Sequence, residues 1–248
     1  SVQYGQNILA ENNAYELVLE SNQTNGIPAG VREAAREKGN ATGHAGKFVF
    51  TLHKPSLIPF LTYSTERSLR EEIYKAYLNR CNNDNEYDNK QHINEFIRLR
   101  VEKAHLLGFD NYAQYVVANE MAGTTKAVYT LLNEIWTPAV ERSKQELEKM
   151  MTIYLRDRKN EGVFKSWDWW YFAEKVRNQD YDIKEEEVRE YLSLDNVKGG
   201  IFFLCNRLYG ITFRPLKAPL YHPECEVYEV LDSDDTPLGA LYMDFDPR

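Results

Sequence analysis

Residues 124–158 read TTKAVYTLLNEIWTPAVERSKQELEKMMTIYLRDR. Val128, Leu132, Ile135, Ala139, Leu147, Met150 and Tyr154 recur at the spacing that puts apolar side chains on one face of an α-helix and leaves the rest polar. Thr124 or Thr125 can cap the first turn, because a hydroxyl there accepts a bond from an N–H that no helical carbonyl reaches. Pro138 lies inside the segment and lacks a backbone donor, which predicts a kink. A helix of this length makes the chain mainly α.

Working outward, the same period recurs. Residues 65–80 place Leu69, Ile73 and Tyr77 on one face, and residues 89–107 place Ile93, Ile97, Val101 and Ala104 on another, ended by Gly108. Residues 5–20, with Ile8, Leu9, Tyr15, Leu17, Val18 and Leu19, also read as helix. The cluster Asn22-Gln23-Thr24-Asn25-Gly26 breaks that run, and Pro28 opens a short helix to about Lys38. Ser166 is placed to cap a helix through Trp167-Asp168-Trp169-Trp170-Tyr171-Phe172, and further helices are expected over 184–191 and 196–209, the last stopped by Gly210.

Period two is confined to two places. Lys47-Phe48-Val49-Phe50-Thr51-Leu52 reads as a short strand. Past Ile211, Thr212-Phe213-Arg214 fits a short strand, and residues 226–231 and 238–245 read as two strands turned by Asp232-Ser233-Asp234-Asp235-Thr236-Pro237. A two-stranded hairpin is marginal alone, so a third strand or covering layer is expected to be missing. The chain thus divides into a helical region, 1–210, with a short strand near 47–52, and a small, incomplete β region, 211–248.

Composition bounds the partners. Thirty basic and 38 acidic side chains give a net charge of −8, with no basic stripe, which argues against a nucleic-acid backbone as ligand. A hydrophobic fraction of 43% is enough for a packed core, while no uncharged run is apolar enough to span a bilayer. Three cysteines, Cys81, Cys205 and Cys225, are too few and too odd in number for a disulfide scaffold. They fit a reducing compartment, so a cytoplasmic location is expected. The chain begins inside a helical pattern at Tyr4, which reads as a cut and leaves open a leader on a longer parent.

No motif announces a reaction. The five histidines, His44, His53, His92, His105 and His222, include no His-Glu-x-x-His pair, and His92 is followed by Ile93-Asn94-Glu95-Phe96. His222-Pro223-Glu224-Cys225 gathers three ligand types at the mouth of a strand, where alternation would split Glu224 from Cys225. Asp84, Glu86, Asp88 and Glu95 have the spacing of a calcium loop, but Asn89 stands where the sharp turn needs Gly, and a solvated capping loop fits as well. Trp167-Asp168-Trp169-Trp170-Tyr171 could form an aromatic platform, although such clusters are commonly core. Lys198-Gly199-Gly200 follows no strand and is no phosphate loop. The residues therefore assign no catalytic and no metal-binding position, and the substrate-binding residues stay unknown.

Several segments, in order along nearly the whole chain, resemble the thimet oligopeptidase/neurolysin-like zinc metallopeptidases. These are Arg100-x-x-x-Ala104-x-Leu106-Leu107-Gly108-Phe109, Asn119-Glu120-Met121-Ala122, the Trp167–Lys175 run and Leu208-Tyr209-Gly210-Ile211-Thr212-Phe213. Tyr221-His222-Pro223 and Leu238-Gly239-Ala240-Leu241-Tyr242-Met243-Asp244-Phe245-x-Pro247-Arg248 complete the set. The Trp-Asp-Trp-Trp variant and the Asn-rich loop at 82–89 resemble the peptidyl-dipeptidase (dipeptidyl carboxypeptidase, Dcp) branch.

The resemblance implies a two-lobed, mostly helical peptidase with a deep channel, cleaving short peptides and, in that branch, releasing C-terminal dipeptides. It implies one zinc held by two His of His-Glu-x-x-His and a later Glu, with the motif Glu as general base. The family places that motif beyond the Asp-Phe-x-Pro-Arg strand, where these 248 residues stop. The chain is therefore expected to be an internal fragment, inactive alone, whose partner is the missing C-terminal half of the same protein. Residues 226–248 would lie nearest the substrate. Two alternatives stand beside this reading: an independent helical binding module without catalysis, and an oligoendopeptidase branch of the same family.

Overall fold

The computed structural model describes residues 2–157, 162–181, 188 and 191–245. Its element order is α1 (Val2–Ala14), β1 (Leu17–Leu19), a 3-10 turn (Ser21–Gln23), α2 (Ala29–Ala41), β2 (Phe48–Phe50), α3 (Lys54–Tyr63), α4 (Arg67–Leu78), α5 (Lys90–Leu106), α6 (Tyr112–Val117) and α7 (Thr125–Asp157). A second 3-10 turn (Ser166–Asp168) leads to α8 (Trp169–Asp180), followed by α9 (Leu194–Tyr209), β3 (Thr212–Pro215), β4 (Glu226–Leu231) and β5 (Pro237–Met243). The mainly α reading holds, with a three-stranded antiparallel sheet near the C-terminus. The helix expected over 184–191 lies largely outside the described residues.

Packing divides the chain into two compact units, Ser1–Asp180 and Tyr181–Arg248. Helix α9 thus belongs with the sheet rather than with the other helices, so the compact division falls earlier than the 210/211 change of pattern.

In the first unit the expectation of one helix over 5–20 is corrected. The helix ends at Ala14 and Leu17–Leu19 form a strand, pairing antiparallel with β2 as Leu17 with Phe50 and Leu19 with Phe48. Leu17 and Leu19 are buried while Val18 between them is half-buried, so the alternating period wins over the helical one. This two-stranded sheet lies in a core with Ile27, Ala35, Leu57, Phe60, Leu61 and Ile73. Gly39 of α2 packs so closely on β2 that a β-carbon there would meet the Lys47 carbonyl oxygen at 2.4 Å.

Helix α3 escaped the sequence reading. Pro55 sits in its first turn, where a missing N–H costs nothing, and Pro59 lies inside it. Thr124 is the residue that caps α7, accepting from the Ala127 N–H at 3.2 Å. Ser166 opens a 3-10 turn and not the α-helix itself. In the second unit Ser193 accepts from the Asn196 N–H, and Gly210 closes α9 with φ +74°.

The apolar stripes read from the sequence lie where the periodicity places them, but only part of each is covered. On α5, Ala104 is buried, whereas Ile93, Ile97 and Val101 are exposed. On α7, Met150, Ile153 and Tyr154 pack with Phe172, while Leu132, Ile135 and Trp136 face solvent. On α9, Val197, Ile201, Leu204 and Leu208 form an exposed row.

Candidate functional site

The sheet of the second unit was the segment expected nearest to substrate, and its register can be derived. β4 is the central strand, flanked by β3 and β5. The hairpin is therefore not without a partner: β3 supplies the third strand, and α9 packs against it. Phe202 of α9 stacks on Phe213 at 4.3 Å between ring centroids and meets Tyr228 edge-on at 4.9 Å. Because side chains alternate along a strand, the face that carries Tyr228 also carries Glu226.

Glu226 accordingly meets Lys198 of α9. The ammonium lies 2.9 Å from both carboxylate oxygens, and the Tyr228 hydroxyl donates to Oε2 at 2.5 Å. The Tyr228 bond and the Lys198 charge hold the Glu226 carboxyl below its usual range, and Glu226 in turn raises both Lys198 and Tyr228. This triad was not singled out in the sequence. Its one legible signal is that Glu226 and Tyr228, two apart on a strand, share a face.

A second polar group surrounds the loop before β4. The Tyr221 hydroxyl donates to Asp244 Oδ2 at 2.7 Å, and its bonds to Cys225 and Asp244 raise its pKa far above neutrality. His222 Nδ1 lies 3.5 Å from Glu224 Oε2, while Cys225 is buried and turned to Tyr221. His222, Glu224 and Cys225 do not converge. With Lys198 protonated and both phenols neutral, the groups facing this sheet can donate hydrogen bonds and hold charge. None of these three is poised as a general base at neutral pH.

The remaining sequence candidates are dispersed. His44 bonds Glu16 at 3.0 Å, His53 bonds Asn13 at 3.0 Å and precedes α3, and His105 Nε2 meets the Asp110 carbonyl at 3.1 Å. His92 stands exposed on α5. Among the described residues no group of three or more His, Cys, Asp or Glu could hold a metal ion. In the calcium-like loop, Asp84 and Asp88 both pair with Lys90, and Asn89 is buried, receiving a bond from Asn7. The loop is tied down from outside by Glu11, which accepts from Asn83 and Asn85 and from the Cys81 N–H.

The aromatic run is core on one side and an ion-pair site on the other. Trp169, Tyr171 and Phe172 pack with Met150 and Tyr154, while Trp170 is at the surface. Asp168 is fully buried and accepts from Arg67 and Arg70 of α4, which stand one turn apart. Sequence reading identified the run but not this contact, since nothing local links residue 168 to residues 67 and 70.

Comparison with known proteins gives the context. The family model described as Peptidase family M3 matches residues 60–248. Organellar oligopeptidase A, chloroplastic/mitochondrial, of Arabidopsis thaliana is 34% identical over 98% of this chain and 32% of its own length. Dipeptidyl carboxypeptidase of Escherichia coli (strain K12) is 32% identical over 99% of the chain and 36% of its own length. Oligopeptidase A of the same organism is 30% identical over 99% and 37% respectively. The chain thus spans about a third of the length of the curated relatives it matches. Among the described residues no helix is long and apolar enough to cross a membrane.

Proposed function

The chain belongs to peptidase family M3, and from that premise we propose that it is part of a zinc metallopeptidase that hydrolyses short peptides. The observation that carries this reading is the family match over residues 60–248, with similarity to oligopeptidases and a dipeptidyl carboxypeptidase along almost the whole chain. The described residues do not fit a zinc ion, because no three potential ligands converge. The His-Glu-x-x-His motif that the resemblance implies does not occur in these 248 residues, and we assign the ligands and the general base to other parts of the parent. On this reading the chain alone is inactive.

The exposed rows Ile93, Ile97, Val101 on α5 and Val197, Ile201, Leu204, Leu208 on α9 support the same conclusion. Apolar stripes of this kind suit helices that pack against further protein. Its partners are then the rest of the parent chain and, for the parent, short peptides, with no role for nucleic acid or membrane. The three cysteines, none of them in a disulfide, support a reducing, cytoplasmic setting.

Within the family we favour dipeptide release from the C-terminus, on the Trp-Asp-Trp-Trp run and the Asn-rich loop. The 34% identity to an oligopeptidase supports the endopeptidase reading as the alternative. Product analysis on the parent protein separates them: dipeptides only from a blocked peptide series support the first, and internal cleavage the second. Incubating the pure 248-residue chain with zinc and a blocked tripeptide tests inactivity. Chelator-sensitive turnover by this chain alone would overturn it and place the catalytic groups within it.

A further inference from the structure

Asn25-Gly26 is the only Asn-Gly pair in the sequence, and the fold fixes the glycine. The Ile27 N–H donates to the Thr24 carbonyl at 3.3 Å, and Gly26 between them has φ +79°. That is a type II β-turn with Gly at the position that needs a positive φ. Space imposes the same choice. A β-carbon at Gly26 would stand 2.5 Å from the Tyr63 carbonyl oxygen and 2.9 Å from Thr65 Cγ2. The turn thus admits only Gly at 26, where it carries the chain from the 3-10 turn at Ser21–Gln23 to the buried Ile27.

An asparagine side chain can be attacked by the backbone nitrogen of the residue after it. That nitrogen is least hindered in Gly, which has no β-carbon beside it. The Gly26 N–H makes no hydrogen bond among the described residues. Asn25 itself is tethered. Its Nδ2 donates to the Asn22 carbonyl at 2.8 Å. Its own carbonyl accepts from the Thr65 N–H at 3.1 Å and from the Thr65 hydroxyl at 3.3 Å.

We propose that Asn25 is a site of non-enzymatic deamidation, restrained in the folded chain by its bonds to Asn22 and Thr65. The Gly26 nitrogen attacks Asn25 Cγ and the new C–N bond closes a succinimide. The side-chain nitrogen leaves as ammonia, taking the proton that the Gly26 nitrogen gives up. Water, the one co-reactant, then opens the ring. Opening at the side-chain carbonyl leaves aspartate. Opening at the main-chain carbonyl leaves isoaspartate, in which the backbone runs on through Cγ and is longer by a single carbon. The former main-chain carbonyl is then a free carboxylate. The acceptor of the Thr65 N–H is displaced, and negative charge is set beside Glu66, whose Oε1 lies 3.4 Å from the Thr65 hydroxyl. The lengthened turn is mismatched to its anchors, Ile27 in the core and Gly26 against Tyr63.

The test is incubation of the 248-residue chain at mildly alkaline pH, folded and in urea, followed by tandem mass spectrometry of the tryptic peptide that ends at Arg32. The expected result is an amide-to-acid mass change that appears first at residue 25, as two separable isomers. It should form at least about tenfold faster in urea, the order expected from releasing hydrogen bonds of this kind. Asn25→Gln, whose side chain would have to close a larger ring, is expected to stop it. Thermal melts separate charge from backbone. The aged chain should melt below the fresh one, and Asn25→Asp, with the charge on a backbone of normal length, should melt closer to the fresh chain. No conversion at residue 25, or conversion led by another asparagine, overturns the proposal. A folded rate equal to or above the rate in urea overturns the restraint assigned to Asn22 and Thr65. Asn25→Asp melting as low as the aged chain overturns the part given to the added carbon.

Discussion

Arg70 and Asp168 are both fully buried and meet at 3.0 Å, Nη2 to Oδ1. Arg70 also donates to the Ser64 carbonyl at 2.7 Å and lies over the Tyr171 ring at 4.3 Å, so the guanidinium is satisfied on several sides. Arg67 adds a second guanidinium to the same carboxylate. The pair joins α4 to the aromatic run that opens α8.

Asp168→Asn is expected to cost about 3–5 kcal/mol, because it removes the carboxylate that balances the charge of the buried Arg70. Chemical denaturation measures it. Burial alone would raise the Asp168 carboxyl, but the bonds from Arg67, the Lys165 N–H and Arg70 outweigh it and hold the group below its usual value. The unfolded chain protonates this carboxyl near pH ~3.9. Its contribution is therefore complete above about pH 5 and lost as pH falls toward the lower folded value. The stability of the parent chain should drop through that window, and that of Asp168→Asn should drop less.

How much of this was legible follows from the range of each interaction. Helix and strand periods are local, so the spans of α4, α5, α7 and α9 and the hairpin could be read from Ile73, Ile97, Met150 or Val227 and their neighbours. Leu17-Val18-Leu19 misled because three apolar residues satisfy both periods. The decision came from Phe48–Phe50, far along the chain. The Arg70–Asp168 and Lys198–Glu226 pairs are long-range and polar, and no pattern in a single sequence reports them. For the zinc implied by the resemblance, no set of ligands is found among the described residues.

Glu11 makes the Asn-rich loop a structural element. It is buried, and burial would raise its carboxyl, yet the Cys81 N–H and the Asn83 and Asn85 amides hold it down. Glu11→Gln turns an NH₂ group toward these donors and is expected to cost about 1–3 kcal/mol. Calorimetric titration of the 248-residue chain with calcium should show no binding heat from this loop, because the Lys90 ammonium already pairs with Asp84 and Asp88 at 2.6 and 2.9 Å.

The exposed stripe on α5 separates periodicity from packing. Ile73 is 0% exposed in the first core and Ile97 is 56% exposed, although both lie on apolar helical faces. Ile73→Ala should cost about 2–5 kcal/mol through lost burial and the cavity left behind. Ile97→Ala in the same chain should stay within about 0.5 kcal/mol of the parent. Equal losses in denaturant midpoint would show that α5 is covered after all, and would remove one support for a larger parent protein.

Two helical glycines should respond to the same substitution with opposite sign. A β-carbon at Gly199 in α9 meets nothing within 4 Å, so Gly199→Ala should stabilise by about 1 kcal/mol through the lower entropy cost of ordering alanine. At Gly39 in α2 the same atom would stand 2.4 Å from the Lys47 carbonyl oxygen and 3.2 Å from that of His44. Both obstacles are backbone, which cannot swing aside as a side chain can. Relieving them means moving α2 away from β2 and opening the core at Phe48, so Gly39→Ala should destabilise by about 1–3 kcal/mol despite its better helix propensity. Paired thermal melts of the two variants check the signs. A stabilised Gly39→Ala would mean that α2 and β2 can separate without loss, and that the contact between them is looser than their backbones indicate.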